Sequence, residues 1–494
     1  MTLLVTSKIF NSRSVSSFFS YIVCIGLVGI SASTYAEDEE YKGEWSSLIG
    51  FELTGYPEES DNSDLTSNVS TFMSAEYYYE WNDGFDSFTF SPRLRLDQND
   101  TNRNTFDISE LSWIHVEDSW ELRTGVRQIA WGLALAQSPN DIINQTNLAE
   151  GFSSNNSKLG QPMINLSLVR DWGILDFYVL AGFREQIFFG TEARPGLPIG
   201  IDEDATTFPF EDRFFQGVDY AVRWQHSWES VEWAVSYFDG TSRSPSLNFN
   251  FDLSSPGIAA AYYPVRQVGL EFLYILDGWI FTLEGAVVDG QFQRDIEVDT
   301  YISSVAGIES SFGGLFGTNI DLILNASFYY DQRQNDIGTF LEHDLIVSFI
   351  FPFNDEYDSR VILAVISDVT DDENIISLIA ERRLTDSWKV GITAVYFDVE
   401  QLDVPQDIRD AQTAEFIEEL ISDFDFFGES DLRRIIDSFG SILAENNFVI
   451  QSDPVQNAVN SIAELQEFAF QQPSNKLGLL ESESSITIQF THFF

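Results

Sequence analysis

The final stretch of the sequence, "SSITIQFTHFF" at residues 484–494, carries an apolar side chain at almost every second position. The apolar set is Ile486, Ile488, Phe490 and Phe494. A period of two is that of a β-strand with one apolar face and one polar face. A strand left unpaired at the end of a chain promotes aggregation. The stretch therefore predicts a sheet that pairs this last strand on both of its edges.

The same alternation recurs along the chain from residue 43 onward. It is clear in "FDSFTFSPRLRLD" (85–97), "WELRTGVRQ" (120–128), "DYAVRWQ" (219–225), "VGLEFLY" (268–274) and "IDLILNASFYY" (320–330). Each run sets apolar residues on one face and polar or charged residues on the other. A water-soluble β-sandwich would show similar runs, but these are more numerous and more uniform than a sandwich needs. The alternation predicts an all-β protein.

The lengths of the connections separate a sandwich from a barrel. Counted from the first strand after residue 36, the links after even-numbered strands are short: "WNDGF", "EDSW", "RDWG", "HSWES", "LDGW", "FGGLFGTN", "FNDEYDS" and "LTDSW". The links after odd-numbered strands are longer and polar: 57–67, 97–103, 130–161, 189–212, 241–261, 290–300, 331–340, 369–374 and 400–481. Such alternation is typical of an up-and-down antiparallel barrel in a bacterial outer membrane, with its short turns in the periplasm.

The tryptophans follow the short turns. Six of the 11 lie at or beside one of them: Trp81, Trp120, Trp172, Trp228, Trp279 and Trp388. An interfacial girdle places aromatic rings at the headgroup level on one side of a barrel. Aromatic residues in the cores of hairpins are the alternative, but these six residues track the short turns.

These patterns predict a transmembrane antiparallel up-and-down β-barrel of about 18 strands, with 16 or 14 as alternatives. Strands 1–17 fall within residues 37–399, and residues 482–494 form the closing strand, which pairs with the first strand near "EWSSLIGFELTGY" (44–56). The last strand resembles the C-terminal assembly signal that the barrel-assembly machinery of Gram-negative bacteria recognises. His492 stands where another apolar residue is usual. We expect the outward face to contact outer-membrane lipid.

Residues 1–36 differ from the rest of the chain. They hold two charges, Lys8 and Arg13, then the apolar run "FFSYIVCIGLVGI" and the small-residue stretch "SASTYA". This pattern predicts a secretory signal peptide cleaved after Ala36, with a signal anchor as the alternative. Cys24, the one cysteine, lies inside it, so the exported protein is expected to carry no disulfide. The formal net charge of −52 argues against a nucleic-acid partner.

The polar face of each strand is expected to line a pore, because charged side chains are costly on the lipid face of a barrel. A barrel of this size also encloses more space than the side chains of its wall can fill. The predicted pore-lining residues are Arg93, Arg95, Glu121, Arg123, Arg127, Asp141, Asp219, Arg223, Glu271 and Glu284.

The long link at 130–161, rich in Asn and Gln, is the candidate for a constriction. It follows directly on Arg123 and Arg127. Folded into the lumen, it would set Asp141 against these arginines, and the resulting transverse field would order solutes by charge. A loop that lies outside on the surface is the alternative.

Residues 400–481 break the strand pattern. Apolar residues recur there at helical spacing in three stretches, and one stretch opens with Asp453 and Pro454, an N-cap followed by proline at the first helical position. We expect three amphipathic helices inserted before the last strand. They would form either an extracellular cap or a plug in the lumen.

Several motifs resemble those of a known group. The runs "ELRTGVRQIAWG" (121–132) and "NDIINQT" (140–146) resemble a motif of uncharacterised proteobacterial outer-membrane β-barrels, and "KLGQPMINLSLVRDWG" (158–173) and "GFRE" (182–185) are similar to the same group. The likeness covers about residues 44–400 and the last strand. It implies a porin-like membrane protein with no particular substrate.

Three classes of function fit an outer-membrane barrel. A channel for small solutes or ions agrees with the polar pore-lining set, whereas a channel for hydrophobic or lipidic compounds would need long apolar patches in the lumen. A membrane-embedded hydrolase is the third class. The four histidines are scattered without zinc-type spacing, and no G-x-S-x-G or H-E-x-x-H motif occurs. We therefore expect no catalytic residue, metal or cofactor, and a homo-oligomer stays open.

Overall fold

A computed structural model describes the following residues: 43–60, 63–151, 158–196, 201, 206–208, 217–250, 257–292, 298–333, 341–370, 373–399 and 482–494. The predicted signal peptide and the predicted helical segment 400–481 lie outside these residues. No helix in the described part of the chain is both long and apolar enough to cross a membrane.

The described residues form twenty β-strands. Their bounds are β1 Glu44–Gly55, β2 Ser67–Trp81, β3 Asp86–Asp97, β4 Thr105–Glu117, β5 Trp120–Arg127, β6 Gln161–Arg170, β7 Gly173–Ala181, β8 Val218–Trp228, β9 Val231–Thr241, β10 Ser246–Asn250, β11 Gly257–Ala261, β12 Pro264–Leu276, β13 Trp279–Phe292, β14 Val298–Phe312, β15 Leu322–Asp331, β16 Asp344–Pro352, β17 Arg360–Asp368, β18 Asn374–Arg383, β19 Trp388–Asp398 and β20 Ser485–Phe493. Short 3₁₀ turns occur at Asn82–Gly84, Thr101–Arg103, Leu148–Glu150 and Leu315–Gly317.

Eighteen of these strands close into one antiparallel barrel. Each of β1–β9 and β12–β20 pairs with the strands before and after it, and β9 pairs with β12. The last strand, β20, pairs with β19 on one edge and with β1 on the other, from Leu48 opposite Phe493 to Gly55 opposite Ile486. Strands β10 and β11 form a separate hairpin. The predicted count of 18 strands and the closing role of the last strand are confirmed.

The connections divide between the two ends of the barrel. At one end lie the links 82–85, 118–119, 171–172, 229–230, 277–278, 313–321, 353–359 and 384–387. We call this end the tight-turn end. The links at the opposite end include the long segments 128–160 and 182–217. The contrast in length is weakest at 313–321, which exceeds 369–373 at the other end, so the segregation holds for most connections rather than for all of them.

The two faces of the sheet differ in chemistry. Residues directly opposite each other on paired strands point to the same side. The row Arg123, Asn165, Tyr178, Ala221 and Phe238 follows this rule through four strand pairs and points inward. The alternate positions carry exposed apolar side chains around the barrel: Leu53, Phe106, Ile164, Val179, Val268, Leu270, Leu283, Val287, Ile302, Phe328, Leu345, Ile376, Leu378, Ile392 and Ile486. A closed barrel with such an outer belt is a transmembrane β-barrel.

The aromatic girdle lies at the tight-turn end. Trp81, Trp228 and Trp388 occupy outward positions at strand ends next to tight turns, and Trp172 lies within one. His492 also points outward, with its ring centroid 4.7 Å from that of Trp388. The residue that departs from the apolar pattern of the last strand is therefore part of this girdle.

A buried ion pair, which we call the clasp, joins three segments near the seam where β20 meets β1. The three segments lie at the end of the barrel opposite the tight turns. Arg194 Nε lies 2.9 Å from Glu483 Oε2, and both side chains are almost fully buried. The same guanidinium donates to the carbonyls of Leu65, at 2.5 Å, and of Ser482, at 2.7 Å. Its carbon lies 4.6 Å from the ring centroid of Tyr56, and burial raises the pKa of Tyr56 to about 12. The clasp therefore ties residue 194, before β8, to both sides of the barrel seam.

We predict that Arg194→Ala lowers the free energy of unfolding by roughly 3 kcal/mol, because Glu483 is left buried without its partner. Urea unfolding of the protein folded in lipid vesicles, followed by tryptophan fluorescence, measures the change. The double variant Arg194→Ala/Glu483→Ala is the control. Its loss in free energy of unfolding should be smaller than the sum of the losses in the two single variants. Additive losses would contradict the clasp.

Candidate functional site

The segment that follows β5 turns into the barrel. We call residues 128–151 the inserted loop. Trp131 and Ile143 are almost fully buried and belong to one apolar cluster with inward residues of the wall. Those wall residues are Met163, Tyr178, Leu180, Ala221, Phe238, Val265, Ala286, Val288 and Tyr301. The inward course predicted for this segment is confirmed, because these partners lie on β6–β9 and β12–β14, on the inner face.

Glu284 of β13 anchors the inserted loop to the wall. One of its carboxylate oxygens accepts a hydrogen bond from the Leu133 amide at 2.6 Å, and the other accepts from the Ser138 hydroxyl. Asn140, which is fully buried, donates to the Leu270 carbonyl at 3.0 Å. Gly269 lies directly under Asn140, and a Cβ atom there would collide with the Asn140 side chain. The loop therefore lies in close contact with β12 and β13.

The inserted loop also contacts the wall beyond β13. Ala134 packs against a second apolar cluster formed by Val305, Tyr329 and Ile346 of β14, β15 and β16. The loop thus starts at β5 and contacts the inner wall as far as β16, which lies almost opposite β5 in the barrel. A segment with this course reduces the cross-section of the lumen.

Between the loop and the wall lies a cavity of about 80 Å³. Ser138, Arg243, Gln267, Tyr301 and Arg333 are among the residues that line it. This is room for only a few water molecules. The loop therefore fits closely against this part of the wall.

A network of alternating charges joins the loop to β1 and β3. Glu150 of the loop lies 2.8 Å from Arg93 and 2.9 Å from Arg95. Arg95 also lies 2.5 Å from Glu52 of β1, and Glu52 lies 3.6 Å from Arg103. The side chains of Arg95 and Glu150 are 4% and 2% exposed. Buried charges of this kind persist only when paired, so the network fixes the end of the loop against the wall.

The predicted residues of β5 form a second polar group, together with Glu110 of β4, which was not predicted. Arg123 pairs with Glu121 and donates to Asn165 at 3.1 Å. Arg127 lies 3.8 Å from Glu110, a long separation for an ion pair. The side chains of Arg123 and Arg127 are 26% and 17% exposed. Arg127 is therefore held more loosely than the cations of the first network, whereas Arg123 is firmly paired and is the more exposed of the two.

The other predicted wall residues form further ion pairs. Arg223 of β8 makes a two-point contact with Glu271 of β12, at 2.6 and 3.2 Å. Asp219 of β8 lies 3.0 Å from Arg243, which also donates to the Ile143 carbonyl at 3.1 Å. Arg243 thus links the wall to the inserted loop.

The predicted contact between Asp141 and the arginines is wrong. Asp141 forms its ion pair with Lys158, at the far end of the same β5–β6 connection, and also accepts from the Trp131 amide. The loop carboxylate that meets arginines is Glu150, and its partners Arg93 and Arg95 lie on β3. Sequence position alone favoured Arg123 and Arg127 because they precede the loop directly. The folded loop instead carries Glu150 back to the β3 side of the wall.

Sequence reasoning missed Glu52, Arg103, Glu150 and Arg243. Glu52 could have been found, since it falls on the polar face of the first predicted strand. The other three lie in connections, where no periodicity indicates which side chains point inward. Among the described residues, no group of three or more His, Cys, Asp or Glu side chains could hold a metal ion.

Comparisons with known proteins identify solved barrels but no family. No family model matches the chain, and no curated protein matches it. Solved structures with some similarity include OccAB3 of Acinetobacter baumannii (9% identity, TM-score 0.43, covering 92% of this chain and 99% of that chain). OpdO of Pseudomonas aeruginosa shows 8% identity and a TM-score of 0.43, covering 73% and 93%. The anion-selective porin of Comamonas acidovorans shows 9% identity and a TM-score of 0.39, covering 92% and 100%.

Similarity at this level carries no argument about the solute of this chain. The class of protein follows instead from its own strand pairing and inner wall. The chain is an 18-stranded transmembrane β-barrel with a loop folded into its lumen.

We predict that Glu284→Ala raises single-channel conductance. Removing the carboxylate leaves the Leu133 amide and the Ser138 hydroxyl without their acceptor, at a cost of roughly 1–3 kcal/mol each, which favours release of the loop from the wall. Planar-bilayer recording measures the conductance.

Glu309→Ala is the matched control. Glu309 is an inward-facing carboxylate of β14 that makes no hydrogen bond to the loop among the described residues. An unchanged conductance in Glu284→Ala, or an equal rise in Glu309→Ala, would contradict the anchoring role.

Proposed function

We propose that the protein is an outer-membrane channel through which small polar solutes and ions pass passively. The observation that carries this proposal is the inserted loop, which lies inside a closed barrel and contacts the wall from β6 to β16. A barrel of 18 strands is too wide for its wall side chains to fill. A loop that narrows the lumen is what a size- and charge-selective channel requires.

The charges of the inner wall support selectivity by charge. The network of Arg93, Arg95 and Glu150 lies on one side of the lumen, and Arg123 and Arg127 lie next to it on β5. Most of these cations are neutralised by carboxylates within 3 Å, whereas Arg127 is not. Arg127, with Arg123 beside it on the same strand, is therefore the centre of the proposed selectivity site, and the rest of the charged wall acts mainly to hold the loop.

The direct test is single-channel recording of the refolded protein without residues 1–36. The proposal expects stepwise ion conductance in planar bilayers and swelling of liposomes in small sugars. A membrane-inserted barrel with neither property would refute it. Assays for lipase and protease activity cover the remaining possibility that the barrel is an enzyme.

We also propose the partners that the barrel implies. The outer belt contacts lipid. The outward-facing Ile486, Ile488 and Phe490 of β20, together with Phe494 directly after it, are the proposed signal for the barrel-assembly machinery. Association into a homo-oligomer stays a proposal, to be tested by cross-linking in native membranes.

A channel for hydrophobic or lipidic compounds is the second candidate. One observation favours this second candidate. The inner faces of β16, β17 and β18 carry several isoleucines where polar residues are usual.

We predict that Arg123→Ala/Arg127→Ala shifts ion preference toward cations. The variant leaves Glu110 and Glu121 without their nearest cations, so the wall beside the loop becomes more negative. The reversal potential across a KCl gradient measures the shift.

Arg382→Ala is the control for this double variant. Arg382 stacks on Tyr357 at the tight-turn end, and its side chain is 51% exposed. A reversal potential that stays constant in the double variant, or moves equally in the control, would defeat the assignment.

A further inference from the structure

Two apolar rows cross the inner wall on the side of the barrel away from the arginines of β5. The row nearer the tight-turn end consists of residues paired in direct register on four neighbouring strands: Ile323, Ile350, Ile362 and Ile379. We call it the lower isoleucine row. The second row consists of Ile346, Ile366, Ile375 and Phe397, again in direct register.

Small and polar side chains lie between the two rows. The intermediate register positions hold Asn325, Ser348, Ala364 and Ser377. The two apolar rows are four residues apart along β16, β17 and β18, which is about 13 Å at ~3.3 Å per residue. Long side chains on both sides of short ones form a groove that runs across the strands. Its floor carries the hydroxyls of Ser348 and Ser377.

The two rows differ in what covers them. Ala134 of the inserted loop and Leu341 pack against the cluster that includes Ile346 of the second row. The isoleucines of the lower row are only partly buried, and they face the lumen. A contiguous apolar row that faces the lumen is the kind of surface that marks a ligand-binding site.

A cationic cluster borders the lower isoleucine row at the tight-turn end. On the inner face, Arg360 is the next residue after Ile362 in the direction of the tight-turn end, and Glu381 is the next after Ile379. Arg360 and Glu381 are paired in register with each other. Lys389 of β19 lies 3.1 Å from Glu381, which also pairs with Arg360. Two cations share one carboxylate, so the cluster carries one excess positive charge. Arg360 is 47% exposed and Lys389 is 30% exposed, which leaves both accessible.

We propose that an amphipathic anion binds during passage at the lower isoleucine row, which is the edge of this groove nearest the cationic cluster. The alkyl chain lies along the lower isoleucine row, and the anionic group, a carboxylate or a sulfate, meets Arg360 and Lys389. This proposal rests on the proposed channel function and names a solute class for it. A fully polar solute would leave the isoleucine row in water, and an uncharged lipid would leave the excess positive charge without a partner. A second copy of the chain has no access to a groove inside the barrel.

The test records ion current through the full-length processed protein in planar bilayers while octanoate is added on the tight-turn side. Octanoate is expected to block the current in a saturable manner. Butyrate has four fewer methylenes, and about half of each methylene touches the groove, so its half-blocking concentration should be about tenfold higher. Octylammonium carries the same chain with the opposite charge and should block much less.

Two variants separate the parts of the site. Ile362→Asn/Ile379→Asn should raise the half-blocking concentration of octanoate about tenfold and leave that of butyrate nearly unchanged. Arg360→Gln/Lys389→Gln, at accessible positions that do not threaten folding, should weaken both anions alike. Ile114→Asn is the control, because Ile114 is a partly buried inward residue of β4 on the other side of the barrel.

Several results would overturn the proposal. Among them are equal block by octanoate and octylammonium, and an octanoate block that the isoleucine variant leaves unchanged. Block that appears only after deletion of residues 405–478 would show that the chain itself, rather than a solute, occupies the groove. Conductance without octanoate block refutes this inference alone, whereas absence of conductance in KCl refutes the proposed channel.

Discussion

The hydrogen bonds between β20 and β1 are the constraint on which the rest of the structure depends. Backbone N–H and C=O groups find no water in the hydrocarbon core, so an open sheet edge is not tolerated there. Pairing from Leu48–Phe493 to Gly55–Ile486 removes the last edge. Once the ring is closed, each strand has one lipid face and one lumen face. The alternating residues of each strand then face lipid and the lumen in turn. The clasp of Arg194 and Glu483 then reinforces the outer end of the same seam.

Closure also creates the space that the inserted loop occupies. The loop is held by two kinds of contact, an apolar cluster around Trp131 and Ile143 and a set of hydrogen bonds to carboxylates. Glu284 and Glu150 are the central carboxylates, and each serves several donors. Because buried charges are stable only with their partners, these contacts specify one position for the loop rather than many. The charged wall therefore has a structural role beside its proposed role in selectivity.

The isoleucine wall is the main departure from the usual division between a lipid-facing and a water-facing side. In β17, Val361, Leu363 and Val365 point outward, whereas Ile362, Ala364 and Ile366 at the alternate positions point inward. Between the two apolar rows the inner faces of β16, β17 and β18 carry only Ser348, Ala364 and Ser377. Polar and apolar sectors thus face one another across the barrel, and such an arrangement suits a solute that has both characters.

The sequence by itself determined the barrel, the closing strand, the tryptophan girdle and the inward face of most strands. These features follow from a period of two and from turn chemistry, which are local. Only the tertiary structure decided which side chains meet inside. Glu150 reaches Arg93 and Arg95, and Asp141 pairs with Lys158, because the course of the inserted loop depends on packing against strands distant in sequence. The isoleucine rows depend likewise on register, since residues on four strands form one row only after pairing fixes their relative heights.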